Sequence, residues 1–149
     1  MRWTSSCRWS HAEGTGIPVS EGDLELARRA YDAFNRRDWD AFVALMHDEI
    51  EVESRLVAME GGYHGHEGLR RWWDDFLGAF PDYTAEIEEL RDLGEVTLGH
   101  IRGWGHSAAS GAPIVDPFWQ TSRWRDGRCI WWRNCSTEAE ALQAIGLRE

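Results

Sequence analysis

The chain has no lysine, and all sixteen of its basic residues are arginine. A physical demand for guanidinium would not exclude lysine everywhere, so this absence reads as the coding bias of a GC-rich genome and is silent on function. Positive charge is scarce in any form: 16 basic residues face 26 acidic ones, for a formal net charge of -10 and a pI near 5.0. Without a basic stripe to neutralise phosphates, nucleic acid is not an expected partner. No stretch approaches the roughly 20 apolar residues of a membrane helix, and residues 1–18 lack the apolar run of a signal peptide, so no membrane partner is expected. Cysteine is limited to three, an odd count. Cys129 and Cys135 lie six residues apart on one expected strand, about 20 Å at 3.3 Å per residue, which is too far for a disulfide. Reduced thiols and a cytoplasmic setting follow. Phosphate loops, dinucleotide glycine motifs and nucleophile elbows are also missing, which sets aside kinase, dehydrogenase and α/β-hydrolase chemistry.

What the chain does have is tryptophan, ten in 149 residues, within a composition that is 42% hydrophobic. That is enough for one core and too little for two ordinary domains, so a single domain is expected over residues 20–149. Residues 1–19 show no periodicity and read as a flexible tail; Val19 is a candidate natural first residue, because valine codons can serve as starts in GC-rich genes. A first helix is expected from Asp23 to Arg37, with Ala27, Ala30, Tyr31 and Phe34 on one face. Asp38 caps a second, whose stripe is Trp39, Phe42, Val43 and Met46. A strand follows from Ile50 to Val57, with Ile50, Val52 and Ser54 on one side and Glu51, Glu53 and Arg55 on the other. The loop Gly61 to Gly68 leads into a third helix, whose Leu69, Trp72, Trp73, Phe76, Leu77 and Phe80 form a wide apolar face ending at Pro81.

From Tyr83 the period changes to two, giving strands over Tyr83–Arg91, Val96–His106, Val115–Arg125 and Arg128–Cys135, the last two joined by an Asp126-Gly127 turn. Thr137 to Glu140 is a capping box for a last short helix that ends at Gly146. The order ααβαββββα makes an α+β fold with helices on one face of a curved antiparallel sheet.

The segments RRAYDAFNRRDWDAF, GYHGHEGLRRWW, RWRDGR and EALQAIGL, in this order, resemble the nuclear transport factor 2-like superfamily, and within it the SnoaL-like and ketosteroid-isomerase-like bacterial proteins. The resemblance implies a cone-shaped, cystatin-like sheet wrapped around helices, covering about Asp23 to Glu149, with a pocket between the concave face and the first and third helices. It leaves the chemistry open, because the superfamily includes isomerases, epoxide hydrolases, cyclases, dehydratases and non-catalytic binding proteins. Matched to the steroid isomerases, the proton-shuttling base falls on Ser54, which cannot act as a base unaided. Their oxyanion-hole Tyr and protonated Asp fall on Ala30 and Gln120, with Tyr31 one residue from the first.

If Ser54 faces this pocket, alternation adds Phe118, Gln120 and Ser122 from one strand and Trp132 and Asn134 from the next, while Tyr31, Trp72 and Trp73 approach from the helices. An apolar wall carrying a few amides and hydroxyls suits a small molecule. The competing reading is that Trp72, Trp73, Phe118 and Trp132 fill the cone solid. Asp116 is the candidate base, with Gln120 orienting an oxygen; His100, Arg102 and His106 either assist it or share the outer face with Trp104. A one-residue slip of the first strand would make Glu53 the pocket carboxylate. His64 and His66 have no supporting ligands, so no metal is expected; Gly65 makes the turn and His66 bonds the first turn of the third helix. No cofactor is expected. Two functional classes remain: a cofactor-independent acid–base enzyme (isomerase, cyclase, hydrolase or lyase) acting on a small cyclic or polyketide-like ligand, and a non-catalytic binding or dimerisation domain. In either, the outer sheet face is the expected homodimer contact.

Overall fold

The structure, a computed structural model, describes residues 19–55 and 62–146. Of the expected tail over residues 1–19, residues 1–18 lie outside these residues, as does the end of the first strand at 56–57, and Val19 opens the first helix. The elements are α1 (Val19–Asn35), α2 (Trp39–Val43), β1 (Met46–Glu53), β2 (Tyr63–His64), α3 (Gly65–Ala79), β3 (Thr84–Asp92), β4 (Val96–His106), β5 (Pro113–Arg125), β6 (Arg128–Cys135) and α4 (Glu138–Ala144). The strands form one curved sheet in the order β2-β1-β6-β5-β4-β3. Every neighbouring pair is antiparallel except β1 and β6, which run parallel.

The α+β order is the expected one, with β2 added inside what reads in the sequence as a loop. Three local corrections position the site. First, α2 spans only five residues after its Asp38 cap, whose carboxylate accepts from the Ala41 amide at 3.1 Å. Met46 therefore belongs to β1 and not to the helix stripe, and it is buried on the same side as Ile50 and Val52. Second, β1 ends at Glu53, so the alternation that would have carried Ser54 inward stops one residue short. Glu53 is exposed, takes the Trp131 indole hydrogen at 2.9 Å and faces Arg133 at 3.6 Å. The slipped register is thus not adopted. Third, α3 begins at Gly65, whose φ of +72° only glycine adopts readily. The His66 ring meets the Met46 carbonyl at 3.0 Å, tying α3 to β1 instead of closing its own first turn.

Helices α1, α2 and α3 cover the inner face of the sheet through an aromatic cluster centred on Phe34, whereas α4, expected on the same face, packs Ala141 and Leu142 against Leu98, Trp119 and Cys135 on the other face. On α1 the small residues Ala27, Ala30 and Ala33 let the helix approach closely, and Phe34 fills the gap beyond them. The rings of Phe42, Trp72, Trp73, Phe76 and Tyr83 surround it at centroid distances of 5.5 to 6.4 Å. Edge-to-face packing of this kind adds to the free energy of burial alone. Truncation of Phe34 to alanine should therefore lower the unfolding free energy by about 3–5 kcal/mol, read from urea denaturation; a loss under about 1 kcal/mol would contradict a central role for this ring.

Candidate functional site

A cavity of about 70 Å³ lies between α1, α3 and the inner faces of β5 and β6. Ala27, Ala30 and Tyr31 form the α1 wall; Trp72 and Phe76 come from α3; Phe118, Gln120 and Ser122 from β5; Trp132 and Cys129 from β6. A void of this size holds a few water molecules or a compact ring.

One end of the cavity is polar. Tyr31 donates its hydroxyl hydrogen to Gln120 Oε1 at 2.8 Å, and Gln120 Nε2 donates to Asn134 Oδ1 at 2.9 Å. Gln120 and Asn134 are direct partners across β5 and β6, so the sheet register itself aligns the two amides. Ser122 Oγ stands 3.5 Å from the same Gln120 oxygen. The amide is locked from both sides, and among the described residues the second Nε2 hydrogen has no acceptor. Burial drives the Tyr31 phenol far above its ordinary range, with the nearby Cys129 thiol adding to the effect, so it remains a hydrogen-bond donor at any working pH.

A second polar cluster stands behind the opposite wall. Asp116 is buried on β5 and accepts from the Tyr83 hydroxyl at 2.9 Å and from Arg55 Nη2. The Arg55 guanidinium also lies over the Phe118 ring at 5.8 Å. Tyr83 lines the cavity, and its hydroxyl fits only because Gly103, facing Asp116 in the β4–β5 register, has no side chain; a Cβ there would collide with that hydroxyl. The Tyr83 phenol is pushed up by burial first and then by the Asp116 charge and hydrogen bond.

Of the residues singled out in the sequence, Tyr31, Trp72, Phe118, Gln120, Ser122 and Trp132 meet around the cavity. Four do not. Ser54 follows the end of β1. Trp73 points about 100° around α3 from Trp72 and packs on Trp39 and Phe42 at 5.2 and 5.0 Å. Asn134 lies behind Gln120 as its acceptor, and Asp116 is screened from the cavity by Tyr83. Of the two steroid-isomerase alignments, Tyr31 is the residue that reaches Gln120, while Ala30 is plain wall. His100, Arg102 and His106 take the outer face: His100 stacks on Trp119 at 4.2 Å, Arg102 pairs with Glu86 and Glu88, and His106 bonds Asp82 at 2.7 Å. Sequence reasoning missed Tyr83 and Arg55. Neither has a local signal: Tyr83 depends on the gap at Gly103 on another strand, and Arg55 on the early end of β1. Among the described residues no group of three or more His, Cys, Asp or Glu is placed to hold a metal ion, and no helix is long and apolar enough to cross a membrane.

A family model described as a SnoaL-like domain matches residues 27–132. No curated protein sequence matches significantly. Among solved structures, a putative SnoaL-like polyketide cyclase from Jannaschia sp. CCS1 superposes with a TM-score of 0.71 at 17% identity, over 90% of this chain and 98% of that one. IdmH, a putative polyketide cyclase from Streptomyces antibioticus, gives 0.66 at 21% identity, over 83% and 98%. TerC, co-crystallised with polyporic acid, gives 0.69 at 16% identity, over 78% and 92%.

Two further buried titratable groups lie near the α1 wall. The Cys129 thiol is pushed up to about 12 by burial, which leaves it protonated and a poor nucleophile. Asp23, buried on α1, is raised from 3.8 to about 6, by burial first and by the Asp92 charge second. A carboxyl whose folded value is raised binds more protons in the native state than in the unfolded one, so stability falls as the pH climbs from about 4 to 6. Asp23→Asn should therefore be more stable than the wild type at pH 8 by roughly 1–3 kcal/mol, the two converging near pH 4, as measured by urea unfolding at both values.

Proposed function

Because the chain belongs to the SnoaL-like domain family, we propose that it binds a small, cyclic, mostly apolar molecule bearing an oxygen, held in the cavity between α1, α3 and the β5–β6 face. The observation that carries this reading is Gln120, an amide fixed by Tyr31 and Asn134 at the wall of a cavity that is otherwise mostly aromatic and aliphatic. Apolar walls supply affinity through burial, and one oriented amide supplies direction, which is the ordinary division of labour in small-molecule sites. The TerC crystal with polyporic acid supports a small-molecule site in this fold.

A second reading, acid–base catalysis, is favoured by the Tyr83–Asp116 pair. Tyr83 reaches the cavity and Asp116 does not, so a proton leaving the ligand carbon would pass to the Tyr83 oxygen while the Tyr83 hydrogen moves to Asp116. The electron pair of the broken C–H bond would shift onto the ligand oxygen as an enolate. Arg55, on the other Asp116 oxygen, fixes the carboxylate orientation throughout. No cofactor enters this step.

The outer sheet face is proposed as the contact of a homodimer. Trp104 and Val115 are register partners on β4 and β5 and stand 37% and 74% exposed, an apolar pair on the outer face beside Arg102. Sedimentation velocity is expected to show a dimer, and Trp104→Glu a monomer.

One compound tests both readings of the cavity. Calorimetric titration with 1-indanone is expected to give saturable one-to-one binding, weakened at least tenfold in Ala30→Phe, which fills the cavity; undetectable binding, or equal binding in that variant, overturns the site. Proton NMR of the same complex in D2O is expected to show accelerated exchange at the ketone α-carbon, reduced about 100-fold in Asp116→Asn and Tyr83→Phe. Exchange no faster than in buffer removes catalysis and leaves binding.

A further inference from the structure

Four sheet and helix tryptophans differ in how their indole hydrogens are satisfied, and two of them find acceptors. Trp124 donates to Thr97 Oγ1 at 3.1 Å and Trp131 to Glu53 at 2.9 Å. Trp72 and Trp132 do not: each Nε1 is buried, and neither has a hydrogen-bond partner among the described residues. Both side chains are more than nine-tenths buried, at 6% and 5% exposure, and both line the cavity, with their rings edge-to-face at 5.1 Å. An indole N–H is a donor only, and a buried donor without an acceptor is a net cost that folded proteins ordinarily avoid.

We propose that Trp72 and Trp132 form a two-donor seat for an acceptor oxygen of the ligand, a carbonyl, phenolate or enolate oxygen, separate from the Gln120 end. The inference rests on the cavity being a small-molecule site and adds the chemistry of the molecule. A carbonyl entering an apolar cavity loses its water, so against a hydrocarbon of the same shape it is penalised unless the protein replaces those hydrogen bonds. The indole edges also carry partial positive charge, which disfavours a cationic amine even though the surrounding ring faces would attract one. Ligands of this cavity are therefore neutral or anionic oxygen compounds, and a step that places negative charge on that oxygen would strengthen both bonds.

The test compares 1-indanone, indane and 2-aminoindane, which is cationic at neutral pH, in the full-length protein. The ketone is expected to bind at least as tightly as the hydrocarbon and more tightly than the amine. Its advantage over indane should fall roughly tenfold in Trp72→Phe with Trp132→Phe, which keep an aromatic ring at each position and delete the donors. In the wild type, ¹H–¹⁵N spectra should show two indole resonances moving downfield with 1-indanone and remaining still with indane, assigned by their loss in the single variants. Indane binding more tightly than the ketone with no indole shift would overturn the two-donor seat and leave the binding site standing. So would a ketone preference lost in Gln120→Leu and kept in the tryptophan variants, or tightest binding of the amine. Binding of none of the three compounds would overturn the seat and the site together.

Discussion

An amide removed from water must have both its oxygen and its nitrogen satisfied, and Gln120 meets that demand by reaching to two different elements. Its oxygen takes the Tyr31 hydroxyl of α1 and its nitrogen gives to Asn134 of β6. The first bond sets the rotation of α1 over the sheet, because turning the helix by one residue would replace Tyr31 with Ala30 or Asp32 and leave the amide oxygen bare. The second coincides with the β5–β6 register, so a one-residue slip there would separate the pair. Helix placement, strand register and the polar end of the cavity therefore depend on the same side chain.

Around that fixed point, the remainder of the cavity follows from the shape of aromatic rings. Phe34, Trp72, Phe42 and Trp132 pack at tilted, stacked and edge-to-face angles, which are favourable pairwise and here leave space beside them. The tryptophan excess, which in the sequence fits a solid plug better than a wall, lines in the fold a cavity of about 70 Å³.

The parts of this structure legible in the sequence are those governed by local rules. The run from β3 to β6 announces itself by alternation and by Asp126-Gly127, whose positive φ values of 52° and 78° suit a two-residue hairpin. The face of α1 follows from three- and four-residue spacing. Met46 was misread because an apolar residue four positions after Phe42 fits a helix stripe as well as a strand, and only the early stop of α2 decides between them. The parallel pairing of β1 with β6 and the meeting of Arg55 with Asp116, 61 residues apart, are long-range events with no local signature. Gln120 could be found because pocket-facing alternation is local; Tyr83 could not, because its place depends on an empty position at Gly103 on another strand.

The Asp116 cluster shows how an acidic chain keeps a carboxylate inside an aromatic core. Isolated, that charge would be strongly disfavoured by the loss of water. Here the Arg55 guanidinium offsets the charge, the Tyr83 hydroxyl occupies the other oxygen, and the Phe118 ring stabilises the cation from its face. Each contribution arrives from a different element: the segment after β1, the approach to β3, and β5 itself. The cluster therefore joins the two ends of the sheet across the cavity, while the Tyr31–Gln120–Asn134 chain joins the sheet to α1. A molecule lying between them would meet a fixed amide on one side and a tyrosine backed by a carboxylate on the other. Two unlike poles on a rigid aromatic frame impose one orientation on an unsymmetrical ligand, which is the condition any selective chemistry at a single ring carbon requires.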